Sequence, residues 1–499
     1  MNVRSTLAIA ALISAASVSC AQPPTTQPPK TDYAAELARL HESALPAEGR
    51  DPSKENAWPI FAKWLEDLCV QQAKVMEWPP PPEPFNYADR PDDAVVPNFL
   101  LVYEPPDAVA TPEQAAERDA ALKVIAHLEK ANFLATLKRL NTMPRVVRPI
   151  GPEGRLVELR LSELGVARLA ARIEWARMHR AAERGDEHGV IDGLENSLTL
   201  ARFVGMAPAL ISRMVVSALT SGCADRASFA IQSLGSLSAK ELARAAADLE
   251  RFDAWSSSWE TAYRSERLIE LDTVQWLYGE VDPNDKLSAD ALARVVKFAG
   301  QIDGREAADA PPADDAAVAL IYATMIERLK TKKETIEQLD SLFEPFFKHL
   351  SGPRFDREPV NYEEKADVIG KSNLVLGVLL PIFGKGLASA DNERTKLAAL
   401  RLFIAIERFR LEHKKPPAAI ADLVPAFLPA IPIDQWNKDG FIYRVDPAAR
   451  RGYVLYSLGR DGVDNAMKMH PQSNDFALYA KDGDGFDYVI VGAGEPVRP

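Results

Sequence analysis

The chain has 499 residues, 47% of them hydrophobic, which is enough to bury a sizeable core divided over two or three units and excludes global disorder. Acidic residues outnumber basic ones by 71 to 59, a net charge of -12. The long-range field therefore repels nucleic acid and anionic membrane surfaces, and a nucleic-acid role is disfavoured.

The opening stretch "MNVRSTLAIAALISAASVSC" sets Arg4 before an apolar run from Leu7 to Val18 and closes on small residues. That is the pattern of a secretory signal peptide, expected over residues 1–21, with a run too short to span a bilayer as a mature helix. Two processing routes stand. Cleavage after Ala21, on Ser19-Cys20-Ala21, releases a soluble chain. Alternatively "SVSC" resembles the lipobox of bacterial lipoproteins, which implies lipidation of Cys20, although Ser17 stands where that family carries Leu, Val or Ile. Either route exports the protein to the periplasm or cell envelope. "AQPPTTQPPK" then opens a Pro-rich tether over residues 22–50. Cys69 and Cys223 remain in the mature chain, either paired in an oxidising compartment or buried as free thiols on separate helices.

Helical periodicity dominates residues 51–350. In "NAWPIFAKWLEDLCVQQ", Trp58, Phe61, Trp64, Leu65 and Leu68 form one face of an amphipathic helix, which ends before the prolines of "EWPPPPEPF". Thr111 caps a helix that has Pro112 as its first residue. "ELRLSELGVARLAARIEWARMHRAAERGD" and "HGVIDGLENSLTLARFVGM" predict an antiparallel helical hairpin across a short turn. With small residues at Ala171, Ala181 and Gly193 it resembles a tetratricopeptide-type unit. No second copy follows at the roughly 34-residue period such arrays need, so an irregular helical domain is expected. His179, Glu183 and His188 straddle the charged turn and read as a solvated face rather than a metal site.

"APALISRMVVSALTSGCADRASFAIQSL" is apolar almost all round and reads as the central helix of the bundle. Beyond it Trp255, Trp259 and Tyr263, at spacing four, make one stripe of a helix. The stripe is either ordinary packing or a binding face that stacks on sugars or a partner peptide. "SGPRFDREPVNYEEKAD" opens a connecting segment, residues 351–387, with a break expected at Pro381 to Gly386. A long helix follows from about Asp391 to His413, its apolar stripe made of Leu397, Leu400, Phe403, Ile404, Ile406 and Leu411.

The pattern then changes type. After the Pro-punctuated "KKPPAAIADLVPAFLPAIPIDQW", the runs "FIYRV", "YVLYSLG" and "DYVIVG" predict three short strands. The expected fold is mainly α: a large irregular helical domain, then a small α+β module at 388–499 with its long helix on a short antiparallel sheet.

Within that module, "AIERFRLEHKKPPAAIADLVP", a Pro-x-Asp-x-Trp element (Pro432, Asp434, Trp436) and a Tyr-Ser-Leu-Gly-x-Asp-Gly element (Tyr456 to Gly462) occur in an order similar to the globular domain of the type II secretion major pseudopilin. The resemblance covers roughly the last 110 residues. It implies a calcium ion in the loop after the last element, with Asp461 and the Leu458 carbonyl as ligands and a pool of later acids, Asp464, Asp482, Asp484 and Asp487. Calcium takes six to eight carboxylate and carbonyl oxygens, and a Gly-rich turn lets the carbonyls face inward. The same Asp and Gly residues also serve simply to end strands in turns. An insertion, "AMKMHPQSNDFALYA", separates the two acidic clusters. Unlike the filament-forming family, this helix lies deep in the chain and carries Glu393, Arg394, Lys396, Arg401, Glu407 and Arg408, so a filament subunit of the usual kind is not expected.

The sequence holds no HExxH, Gly-x-Ser-x-Gly or Cys-x-x-Cys, and "GVLLPIFGKG" fails as a phosphate loop because Gly386 stands where Ser or Thr should hold magnesium. The expectation is an exported envelope protein with a non-catalytic interaction or scaffold role, its partners envelope or secretion-system proteins. The alternative is an exported hydrolase acting on an envelope or extracellular polymer, with the Trp255, Trp259 and Tyr263 face as its platform.

Overall fold

A computed structural model describes residues 31–79, 95–104, 109, 111–150, 155–279, 282–286, 294–295, 325–380, 383–470, 478 and 485–496. The signal peptide with Cys20, the start of the tether, Pro381, Asp482 and Asp484 lie outside the described residues. The fold is mainly helical with one small sheet. Its helices are α1 (Tyr33–Ala44), α2 (Trp58–Met76), α3 (Pro112–Lys130), α4 (Ala135–Asn141), α5 (Glu163–Glu183), α6 (Glu187–Val204), α7 (Leu210–Leu234), α8 (Ala239–Trp255), α9 (Trp259–Tyr278), α10 (Lys332–Ser351), α11 (Tyr362–Ser372) and α12 (Phe383–His413). Strands β1 (Ile442–Val445), β2 (Tyr453–Ser457) and β3 (Tyr488–Val491) pair antiparallel in that spatial order. Among the described residues no helix is long and apolar enough to cross a membrane.

Local chemistry sets the helix starts. Thr111, Asp186, Ser238, Ser258 and Thr331 each accept a first-turn N–H on a side-chain oxygen. The α5–α6 hairpin turns through Gly185 at φ +70°, a left-handed conformation that glycine adopts without steric cost. Gly193 lets the two helices close up, since a Cβ there would lie 3.0 Å from the Met178 Cβ. Helix α7 is central, packing on α5, α6 and α12.

A one-turn helix at Leu376–Leu379 ends before the long one, and α12 already begins at Phe383, so the expected break does not extend over 383–386. The early glycines of α12 serve close approach instead. A Cβ on Gly386 would meet the Tyr263 Oη at 1.9 Å, and the Gly384 N–H donates to Glu363 Oε1 at 2.6 Å.

Helix α12 packs on α7 and α8 as well as on β3, and one apolar core runs unbroken from α2 through α12 to β3. Residue 388 therefore does not divide two cores. Both faces of β2 and β3 are covered: Tyr453, Leu455 and Ile490 join the main core, while Val454, Tyr456 and Val489 form a smaller cluster with Leu458.

Four charges on α12 are buried, and each is met from a different part of the chain. Asp391 takes both arms of Arg357 at 2.7 and 3.0 Å. Glu393 accepts from Arg213 at 2.8 Å, Trp259 Nε1 at 2.8 Å and Thr220 Oγ1 at 3.0 Å. Lys396 donates to Asp225 at 2.6 Å, which also receives the Tyr488 hydroxyl. Glu407 accepts from Arg451, Arg410 and the Tyr453 hydroxyl. Removing one partner strands a buried charge, which costs several kcal/mol. We expect Arg213→Met to lower the unfolding free energy by about 3 kcal/mol, read from the denaturant midpoint. A loss near zero would mean that Trp259 and Thr220 alone satisfy Glu393.

Helix α9 buries a charge of another kind. Glu270 is 3% exposed, and neither carboxylate oxygen has a hydrogen-bond partner among the described residues. Burial pushes its pKa well above the ordinary carboxylate value; Glu266, one turn earlier, adds to the effect and Arg267 opposes it. The folded state thus holds this proton more tightly than the unfolded chain. Its stabilising effect is fully present below the unfolded carboxylate pKa of about 4.3 and is lost as pH rises through the folded value. We expect the melting temperature of the native chain to fall relative to Glu270→Gln as pH is raised from about 4.3. Parallel profiles for the two proteins would refute this.

Candidate functional site

The loop after β2 is built by its own carboxylates. Gly459 and Gly462 take φ of +69° and +67°, and Ala466 and Met467 also lie at positive φ, so the chain coils tightly between the strands. Asp461 Oδ1 accepts the Val463 N–H at 3.0 Å, and its Oδ2 accepts the Gly485 N–H at 2.6 Å, tying this loop to the approach to β3. Asp487 is fully buried, its oxygens accepting the Asn465 and Met467 N–H groups at 3.2 and 2.7 Å. Asp464 accepts from the Tyr456 hydroxyl and the Ala466 N–H.

Two of these acids act on the third. Burial raises the Asp487 pKa, the two backbone donors oppose it, and the charges of Asp464 and Asp461 raise it further. Leu458 packs in the small cluster on the outer face of the sheet. The carboxylates are of the donor type a hard cation takes; Asp461 Oδ1 and the two Asp487 oxygens each accept one N–H, whereas Asp464 Oδ1 and Asp461 Oδ2 each accept two donors. Among the described residues no group of three His, Cys, Asp or Glu side chains is arranged to hold a metal ion.

The other sequence candidates are dispersed. Trp259 and Tyr263 are 3% and 0% exposed, so with the half-buried Trp255 they do not form an open binding face. The physical reason is their neighbours: Trp259 donates to Glu393, and Tyr263 donates to the Phe383 carbonyl while packing on Phe346 with ring centroids 4.4 Å apart. Cys69 and Cys223 are buried free thiols whose pKa values burial pushes up to about 12, so they are not paired. His179 stacks against Tyr103 and Phe229, whereas His188 faces Glu241 and Arg244, so they do not share one site.

The Pro-x-Asp-x-Trp element is a structural anchor. Asp434 is fully buried and accepts the Trp436 N–H at 3.0 Å. Burial pushes its carboxyl up to about 6, against hydrogen bonding to Ser457 on β2, the Trp436 N–H and Thr395 on α12. Arg354 lies 4.1 Å over the Trp436 ring. The connection leading into the sheet is thereby fixed against α12.

That fixed connection closes a cleft of about 600 Å3, within the range of about 300 to 1,000 Å3 usual for ligand pockets. One wall is α8 with Leu249 and Phe252, the other is α12 with Leu397, Ala398 and Ile404, and the segment from Phe427 to Ile433 forms the lip. Arg394, Arg401 and Arg408 all line it. Their spacing of seven places them on one stripe of α12, a signal present in the sequence although no binding site was expected there. Arg401 pairs with Asp253 across the cleft. Arg408 has a bond of 3.4 Å to the Phe427 carbonyl and no ion pair among the described residues.

Neither a protein-family model, nor a curated protein, nor a solved structure matches this chain.

Proposed function

We propose that this chain is an exported bacterial envelope protein with a non-catalytic interaction or scaffold role, its carboxy-terminal part a pseudopilin-like module stabilised by calcium. The observation that carries the interaction role is the share of exposed apolar side chains in the module. Of the eleven large apolar residues left exposed among those described, five lie there, Ile431, Ile433, Val445, Val463 and Met469, while Val70, Val95, Leu100, Ile211, Ile326 and Val368 are spread over the rest of the chain. Apolar groups left in water beside a polar, rigid frame are what a partner surface offers. A long helix against a short antiparallel sheet, with acidic residues in the loop after the middle strand, supports the pseudopilin-like reading. The hydrolase alternative relied on an open aromatic platform, and burial of Trp259 and Tyr263 removes that support.

Calcium would relieve the repulsion that Asp464 and Asp461 exert on Asp487. Because α12 shares its core with the helical region, the full chain rather than the isolated module is the material to test. At calcium a hundredfold above Kd, stabilisation of about 2.7 kcal/mol is expected, read as a higher melting temperature than in chelator. Equal melting in both buffers, or an Asp461→Ala variant that responds as the native chain does, would return the loop to the role of a turn.

The interaction role is tested by affinity capture of the full chain from an envelope fraction, in calcium and in chelator. Recovery of specific envelope or secretion components is expected, strengthened by calcium. Recovery of no specific partner in either buffer would remove the scaffold reading.

A further inference from the structure

The cleft between α8, α12 and the Phe427 to Ile433 lip combines an apolar floor with cationic groups, in a chain whose net charge is -12. Three of its four arginines are already engaged. Arg213 pairs with Glu393, Arg401 pairs with Asp253, and Arg394 bonds the Leu350 carbonyl while the carboxylates of Asp391 and Glu393 act on it. Arg408, half-buried at the far end of the stripe, holds among the described residues only the long bond to Phe427 and lies 5.7 Å from that ring. Its guanidinium fork is the cationic group best placed to take an external anion.

Volume decides the size of the occupant. At about 600 Å3 the cleft has the size of a small-molecule pocket. A single apolar chain fits, lying on Leu249, Phe252, Leu397 and Ile404 beneath Ile431, which is 48% exposed. From Arg394 to Arg408 the stripe runs 14 residues, about 21 Å at the helical rise, which is a chain-length track rather than a spot. Charge decides the head group. Glu250 stands on the opposite wall and disfavours a dianion, whereas a single carboxylate matches one guanidinium in bidentate geometry.

We propose that this cleft binds a long-chain carboxylate, its apolar chain laid along the α8–α12 floor and its carboxylate paired with Arg408. This deepens the binding role proposed above and rests on it. The probe is dodecanoate, titrated into the full-length protein below its micellar concentration and followed by calorimetry, with dodecanol and dodecyl phosphate as comparison ligands. Saturable binding at one site is expected, with dodecanol bound at least tenfold more weakly and Arg408→Gln weakening dodecanoate by about tenfold, the usual worth of a charge-assisted hydrogen bond. Arg408→Lys should fall between the native chain and Arg408→Gln, since it keeps the charge and loses the fork. Ala430→Trp, on the exposed lip, should reduce binding without touching the core. Circular dichroism of each variant separates lost binding from lost folding, and the two independent sites keep the test valid if one variant misfolds.

No saturable binding, equal affinity for dodecanol, tighter binding of dodecyl phosphate, or an unaffected Arg408→Gln would each overturn the assignment. So would a concentration-dependent dimer that dodecanoate leaves intact, because the cleft would then belong to a second copy. Failure here leaves the envelope capture result standing, so the two readings fail separately.

Discussion

Helix α12 carries Asp391, Glu393, Lys396 and Glu407 into the interior, and the rest of the molecule is arranged around meeting them. Moving an ion out of water costs several kcal/mol, recovered only when good hydrogen-bonded partners are in place. The partners come from α7, α9, the segment before α11, and strands β2 and β3. An apolar helix could rotate or slide at little cost. This one is fixed, since a rotation of one residue would strand all four charges.

That constraint shapes what faces outward. Lys396 and Glu407 point toward α7 and β2, so the stripe of Arg394, Arg401 and Arg408 on the other side turns toward α8 and the Pro-rich connection. Asp434 then holds the connection against α12 and β2, leaving a cleft where the connection stands off from α8. The cleft and the buried ion pairs are two faces of one helix.

The loop after β2 follows a related logic on a smaller scale. Asp461 and Asp487 each reach across to the backbone of a neighbouring segment, so carboxylates replace the missing strand pairing between Leu458 and Lys468. The charges of Asp464 and Asp461 both act on the buried Asp487.

The sequence by itself determined the elements whose signals are local. Trp58, Phe61 and Trp64 marked the buried face of α2, Thr111 and Pro112 its neighbour's start, Gly185 the hairpin turn, and alternating aromatic and branched residues the three strands. Such signals depend only on backbone period and on hydrogen bonds within a few residues. Tertiary structure decided the rest, because it depended on residues far apart in the chain. Gly384 and Gly386 looked like a helix break until Tyr263 and Glu363 were seen to need their space. The charges on α12 spoke in the sequence only against a filament helix, and the positions of Arg213, Asp225, Arg357 and Arg451 made four of them interior. The same holds for the aromatic stripe, whose burial was set by α10 and α12, and for Arg408, whose exposure to a cleft was set by a connection 19 residues further on.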